Sequence, residues 1–364
     1  MELKPTRDGY GLGLVDAGKK DAKVVVLCAD LSESTRSHWF KKEFPARFVQ
    51  IGVSEQSMAA IASGLALAGK VPFISSYAGF SPGRNWEQIR TTITLNDANV
   101  KVAGAHAGVS VGPDGATHQM TEDLALMRTL PNMVVLAPCD MQETKKATVA
   151  VAGVYGPHYL RFGREKSPVF TTPATPFKIG RAEIFRFGRD VTIVACGILV
   201  HEALKAAEEL RKKGIEAEVI DSHTIKPLDA KTILASIAKT GCVVTVEEHQ
   251  VDGGLGAAVA EALGAARPVP LERIGVQNRY GESGEPIMLL EAFGLTSPYI
   301  AMAARRATAR KAGKKVSEVP DYMAAAERRA VELKKQVISE ALSRAPREWG
   351  GKKGNIKDLI KKSK

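Results

Sequence analysis

Arg47–Gly69 reads RFVQIGVSEQSMAAIASGLALAG, and it decides the fold class. The first seven residues include β-branched and aromatic side chains and few breakers, which predicts a strand. Ser54 suits an N-cap, and a helix is expected through Met58, Ile61 and Leu65 until Gly69 stops it. A strand feeding a helix is the unit of an open α/β sheet, whose ligands bind where strands end. An acid, Glu55, sits at that junction. In the first turn it complements the helix dipole. At a sheet edge it can also act on a ligand.

Three further segments strengthen the second reading. PFISSYAGFSPGRNWEQI, residues 72–89, is a short strand, then Tyr77 and Phe80, a glycine turn, and a helix from about Asn85. Aromatics just past a strand either stack on a flat heteroaromatic ring or fill a core. KVAGAHAGVSVGPDGATHQMTED, residues 101–123, is a buried strand followed by a glycine-rich loop with His106, Asp114, His118 and Gln119. That loop is too polar for a core. HYLRFGREKSP, residues 158–168, is a strand bearing Arg161 and Arg164, which suits an anion. Several such loops ending near one sheet edge describe a site.

Outward from these segments, residues 1–170 alternate strand and helix patterns, as a parallel α/β sheet does. TTPATPFK, Thr171–Lys178, reads as a linker. A second α/β unit is expected over 179–303. Its strands are DVTIVACG, AEVIDSHTIKPLD and CVVTVEEH, and its helices HEALKAAEELRKKG and GGLGAAVAEALGAA. Gly254 and Gly256 lack the third glycine of a dinucleotide-binding turn, so close helix packing accounts for them better. His249 reads as structural. The fold class is therefore α/β, two open parallel-sheet domains followed by a basic helical tail over 304–364.

The 364 residues suit two or more domains, and 45% hydrophobic content supports full cores. No apolar run is expected to reach the ~20 residues that span a bilayer. The N-terminus MELKPTRDGYGLG lacks the apolar stretch of a signal peptide. Cys28, Cys139, Cys196 and Cys242 have no metal-ligand spacing and are expected to be buried, reduced thiols of a cytoplasmic protein. Ala301–Lys364 holds 18 Lys and Arg against 7 Asp and Glu, leaving 33 of each sign in residues 1–300. The net charge of +11 thus lies in the tail, and the high pI does not mark the globular part as a nucleic-acid binder. In the tail, Val319–Ala345 begins with the helix-start signals Pro320 and Asp321 and carries a weak, alanine-rich apolar stripe. That helix is expected to dock on the chain's own assembly. The final GGKKGNIKDLIKKSK is too polar and glycine-rich to fold alone.

The quoted segments resemble the transketolases, specifically their C-terminal half, and within them the split form in which that half is a separate polypeptide. GVSEQSM resembles the motif whose glutamate activates thiamin diphosphate. YAGFSPGRNWEQIR resembles the loop whose aromatics pack on the aminopyrimidine ring. GPDGATHQMTEDLALMRTLPNMVVLAPCD is similar to the family's most recognisable run. CADLSEST, Cys28–Thr35, resembles the loop with a serine near the substrate phosphate. The resemblance spans roughly residues 5–300. It implies ketol transfer between sugar phosphates. Glu55 would share a proton with the aminopyrimidine nitrogen, Phe80 and Tyr77 would hold the ring, and Asp30 would lie near the cofactor or fix its loop. Asp114 would contact a substrate hydroxyl, and Ser34, His106 and Arg164 the sugar-phosphate end. His118 would donate a proton or bind a hydroxyl.

The family binds the cofactor diphosphate and a divalent metal through GDG and a downstream asparagine in another domain. No GDG occurs in this sequence. The resemblance therefore implies half of an active site. An N-terminal subunit bearing GDG would hold the metal, magnesium or calcium, and a heterotetramer is the expected assembly. Two other readings are a deoxyxylulose phosphate synthase-like or 2-oxoacid dehydrogenase β-like subunit, and a scaffold acting through its tail.

Overall fold

A computed structural model describes residues 1–344; the glycine- and lysine-rich end lies outside the described residues. Through residue 170 the strands are β1 (Leu3–Pro5), β2 (Val24–Cys28), β3 (Phe48–Gln50), β4 (Val71–Tyr77), β5 (Lys101–Ala105), β6 (Val134–Leu136), β7 (His158–Phe162) and β8 (Lys166–Pro168). Then come β9 (Glu183–Arg186), β10 (Val191–Ala195), β11 (Ala217–Asp221), β12 (Thr224–Lys226), β13 (Val243–Gln250) and β14 (Leu271–Val276).

The first sheet has the order β12-β6-β7-β5-β4-β2-β3 and the second β14-β13-β10-β11-β9. Both are parallel except at one edge, where β12 and β9 run antiparallel. A small antiparallel pair, β1 with β8, stands apart. Side chains of β2 alternate between two buried layers. Val24 and Val26 pack with Tyr10, Leu14, Ala147 and Val151 on one face. Val25 and Leu27 pack with Met58, Ala59 and Ala62 on the other. A sheet covered on both faces must be apolar on both, which is why these strands read as unbroken apolar runs. On the first face, helices Thr6–Lys20 and Met141–Ala152 approach closely. A Cβ on Gly9 would stand 2.1 Å from the Met141 carbonyl oxygen, so only glycine fits.

Three expectations change. AEVIDSHTIK is not one strand: it breaks after Asp221, and Thr224–Lys226 crosses to pair with β6 in the first sheet. The helix Glu55–Leu67 buries Met58, Ala59 and Ala62 but leaves Ile61 exposed, and the Ser54 hydroxyl bonds Ser57 rather than capping the backbone. Pro286–Lys311 is apolar and long enough to cross a membrane by composition, yet 67% of its apolar window is buried inside the protein. Its helices Pro286–Ala292 and Ser297–Lys311 belong to the second domain's core.

The tail helix spans Asp321–Arg344. It packs through Tyr322, Ala326, Ala330 and Leu333 onto the second domain. The Tyr322 hydroxyl donates to Glu272 at 3.0 Å, and Arg329 pairs with Glu291 at 2.9 Å. Val337, farther along the same helix, is exposed. All four cysteines are buried and free.

Candidate active site

The C-terminal ends of β3, β2, β4, β5 and β7 fall on one edge of the first sheet, in adjoining positions. All nine predicted site residues lie on the chain leaving these strands: Glu55 after β3, Asp30 and Ser34 after β2, Tyr77 and Phe80 at and after β4, His106, Asp114 and His118 after β5, and Arg164 after β7. Backbone strain marks the same edge. Asp30, Arg36 and His106 hold φ of 57°, 66° and 56°, a region costly for side-chain-bearing residues and typical of functional loops.

Glu55 is only 2% exposed. Ser76 Oγ donates to its Oε1 at 3.3 Å, and Asn85 Nδ2 donates to its carbonyl at 3.0 Å. Asn85 Oδ1 is buried with no protein donor. Beside them the half-buried rings of Tyr77 and Phe80 lie 6.0 Å apart at 18°. Tyr77 also stacks on His106 at 4.0 Å, and Phe80 meets His118 edge-on at 5.4 Å. The Thr117 hydroxyl lies 2.9 Å from His118 Nδ1.

The other end of the site is cationic. Arg7 Nη1 donates to the Ser34 carbonyl at 3.1 Å and stands 3.4 Å from His106 Nε2. Arg164 Nη1 reaches Asp114 at 3.2 Å, and Arg36 is paired with Asp8 at 2.7 Å. Burial, and then Arg7, Arg164 and Arg36, push the His106 pKa down to about 3. His106 is therefore neutral at pH 7 and acts as a hydrogen-bonding group, while the arginines carry the charge. Asp30 and Gln50 bond each other reciprocally at 3.1 and 3.3 Å, which ties the exit of β2 to β3.

Sequence reading missed Arg7. It lies in the first turn of the helix before β2, and no local motif places it beside residue 106; the approach of that helix to the sheet does. It missed Asn85 because a polar residue at the mouth of a helix looks like a cap. Arg161, grouped with Arg164 as anion-suited, is instead buried and paired with Asp123 at 2.9 Å. Among the described residues, the group of acidic, histidine or cysteine side chains close enough to share a metal is Cys139, Glu143 and Asp221, with ligand atoms within 4.8 Å. It lies past β6, on the opposite flank of the sheet from Glu55, and is sealed from solvent.

Comparison with known proteins identifies the family. The family described as transketolase, pyrimidine binding domain, matches residues 4–169, and transketolase, C-terminal domain, matches 180–300. A Methanocaldococcus jannaschii chain described as a transketolase C-terminal section is 45% identical over 82% of this chain and 94% of its own. A 6-deoxy-6-sulfo-D-fructose transketolase subunit from a Clostridium strain is 41% identical over 84% and 95%. A solved split gene transketolase, an inactive beta4 tetramer, superposes with a TM-score of 0.79 at 44% identity, covering 84% of this chain and 99% of that one. The chain belongs to the transketolase family and corresponds to its C-terminal section, a pyrimidine-binding domain followed by the family's C-terminal domain.

Proposed function

We propose that this chain is one subunit of a split, thiamin diphosphate-dependent transketolase that moves a two-carbon ketol unit between sugar phosphates. One observation carries the reading: a buried carboxylate, Glu55, and an arginine cluster around neutral His106 share one sheet edge, joined through Ser76 and Tyr77. A flat ring with hydrogen-bonding edges needs apolar faces and buried polar atoms beside it. Tyr77, Phe80, the unpartnered Asn85 Oδ1 and Glu55 supply these, so they fit an aminopyrimidine. Glu55, Phe80 and Tyr77 would hold that ring. When bound, the cofactor supplies the carbanion chemistry.

The chain's own residues do the rest. Burial screens Glu55 from water, so its carboxyl would meet the ring nitrogen without competition from solvent. Arg7 and Arg164 hold the terminal anion of the sugar, with Ser34 and His106 as neutral partners. Asp114 takes a substrate hydroxyl, His118 donates a proton or binds a hydroxyl, and Asp30 fastens its loop.

The site needs a second chain. The described residues offer no metal group near Glu55. The outer face of helix Glu55–Leu67 presents Gln56, Ser57, Ala60, Ile61, Gly64 and Leu67, all exposed and all uncharged. Val53 beside it is 73% exposed and Leu67 70%. A charge-free helix face beside a sheet-edge site is an interface. A subunit bearing GDG and the magnesium or calcium ion would cover it in a heterotetramer. The test is reconstitution. The purified chain should show no turnover with a ketose phosphate donor and an aldose phosphate acceptor, and mixing with a GDG-bearing subunit should restore it. Turnover by the single chain would sink the proposal. A sulfonated ketose run alongside identifies which terminal anion the arginines take.

A further inference from the structure

The loop that carries Asp114 has no regular pairing of its own. Val109–Asp114 is a tight 3-10 turn broken at Gly112, where φ is 82° and ψ −119°. Part of its shape is set from outside. Ser110 N–H donates to Glu248 Oε1 at 2.6 Å, and Glu248, from β13 of the second domain, is 3% exposed. Gly108, with φ at 88°, lies so close that an added Cβ would stand 2.3 Å from Glu248 Cδ. Glu248 is itself anchored. Its carbonyl accepts Arg161 Nη2 at 2.6 Å, and Arg161 Nε donates to Asp123 at 2.9 Å. From the solvent side, Arg164 Nη1 donates to the Val111 carbonyl at 2.9 Å and to Asp114 at 3.2 Å. Gln119 Nε2 adds bonds to the carbonyls of Val109 at 3.0 Å and Gly112 at 3.1 Å.

We infer that Glu248 is a positioning residue for the Asp114 loop, so that the second domain helps set the geometry of a site built on the first. A buried carboxylate costs more than an apolar side chain of its size. What it secures here is one backbone N–H on a loop with no ladder to hold it. Without that acceptor, Ser110 N–H is orphaned and the turn loses its inner restraint, and Asp114 loses its register with Arg164. The catalytic half of the inference rests on the transketolase reading above; the structural half does not.

The test uses the full chain and two variants, Glu248→Ala and Glu248→Gln. Hydrogen exchange of the 108–114 segment should quicken about 10-fold or more in Glu248→Ala, the scale of one charge-assisted hydrogen bond. It should stay near the parent rate in Glu248→Gln, which keeps an acceptor of the same reach. In the reconstituted enzyme, Glu248→Ala should raise KM for the sugar substrates about 10-fold with cofactor affinity unchanged, and Glu248→Gln should restore it. Unchanged exchange in Glu248→Ala would overturn the inference. So would acceleration spread through both domains with a matching loss of cofactor affinity, since that marks a merely structural residue. Exchange is read without any partner, so failure of the parent mixture to turn over would count against the transketolase reading alone.

Discussion

The two sheets are built alike, yet the edges where their strands end meet different surroundings. Strands β2, β3, β4, β5 and β7 end in loops that stay partly open and gather Glu55, Arg7, His106 and Arg164. In the second sheet the ends of β10, β11 and β13 are hydrogen-bonded to the first domain. After β10, Gly197 N–H donates to the Ala137 carbonyl at 2.9 Å; after β11, the His223 carbonyl accepts Ala137 N–H at 2.8 Å; at the end of β13, Gln250 N–H donates to the Thr121 carbonyl at 2.7 Å. Polar groups at both edges follow from strands ending there. What differs is what they meet. Open, they remain available to a ligand. Closed, they are taken up by backbone groups, as Glu247 is by accepting the N–H groups of Leu255 and Gly256 at 2.7 Å each. Topology nominates the edge for binding, and packing decides whether it can serve.

The contrast breaks most visibly at Glu55. Glu55→Gln in the reconstituted enzyme should cut the rate of proton exchange at the cofactor about 100-fold or more, the usual worth of a positioned acid or base, with assembly intact. Near-normal exchange would reduce Glu55 to a helix-end charge and erase the distinction between the edges. Arg7→Ala comes next. It removes one cation from an anion subsite and should raise KM for phosphorylated substrates by about 10-fold or more, leaving kcat within a few-fold. Equal loss with unphosphorylated sugars would remove the anion from the account. The smallest effect is expected on the closed edge. Burial, and then the neighbouring Glu143, push the Asp221 pKa well above its ordinary value, and both its oxygens lack a donor. The folded state therefore holds a proton that the unfolded chain releases. That stability is full below the ordinary aspartate range and is lost as pH rises toward the folded pKa. Asp221→Asn cannot titrate there, so its thermal midpoint should exceed the parent's at pH 8 and converge with it at acid pH. The gain should be a few degrees, at about 2–4 °C per kcal/mol for a domain of this size. An unchanged pH profile would show that Asp221 is charged in the folded protein.

Much of this was legible in the chain. Strand-to-helix junctions follow from local chemistry, so Glu55, Tyr77, Phe80, His106 and Arg164 were assigned to strand ends that the fold sets side by side. Charge counts separated the basic tail from a neutral body, and the helix Asp321–Arg344 falls where Pro320 and Asp321 signalled it. Illegible features were those decided across long separations. Arg7 reaches His106 across 99 positions, and Glu248 reaches Ser110 across 138. Arg161 and Arg164 look alike in sequence, and only the partner of each, Asp123 or Asp114, tells core from site. The apolar pattern of Glu55–Leu67 misled because Ile61 faces outward: an amphipathic pattern cannot distinguish a face that meets its own core from one that meets another chain.

Residues 224–226 give the molecule a property that a domain diagram hides. This short strand leaves the second unit, closes the edge of the first sheet against β6, and returns. Ile225 is buried in the same apolar layer as Val102 and Met127. A gene fragment ending in the Thr171–Lys178 linker would encode every catalytic candidate and still lack the last plank of its own sheet. The halves are interleaved rather than strung together, so evolution or an engineer could exchange the region beyond residue 178 only by carrying that strand along.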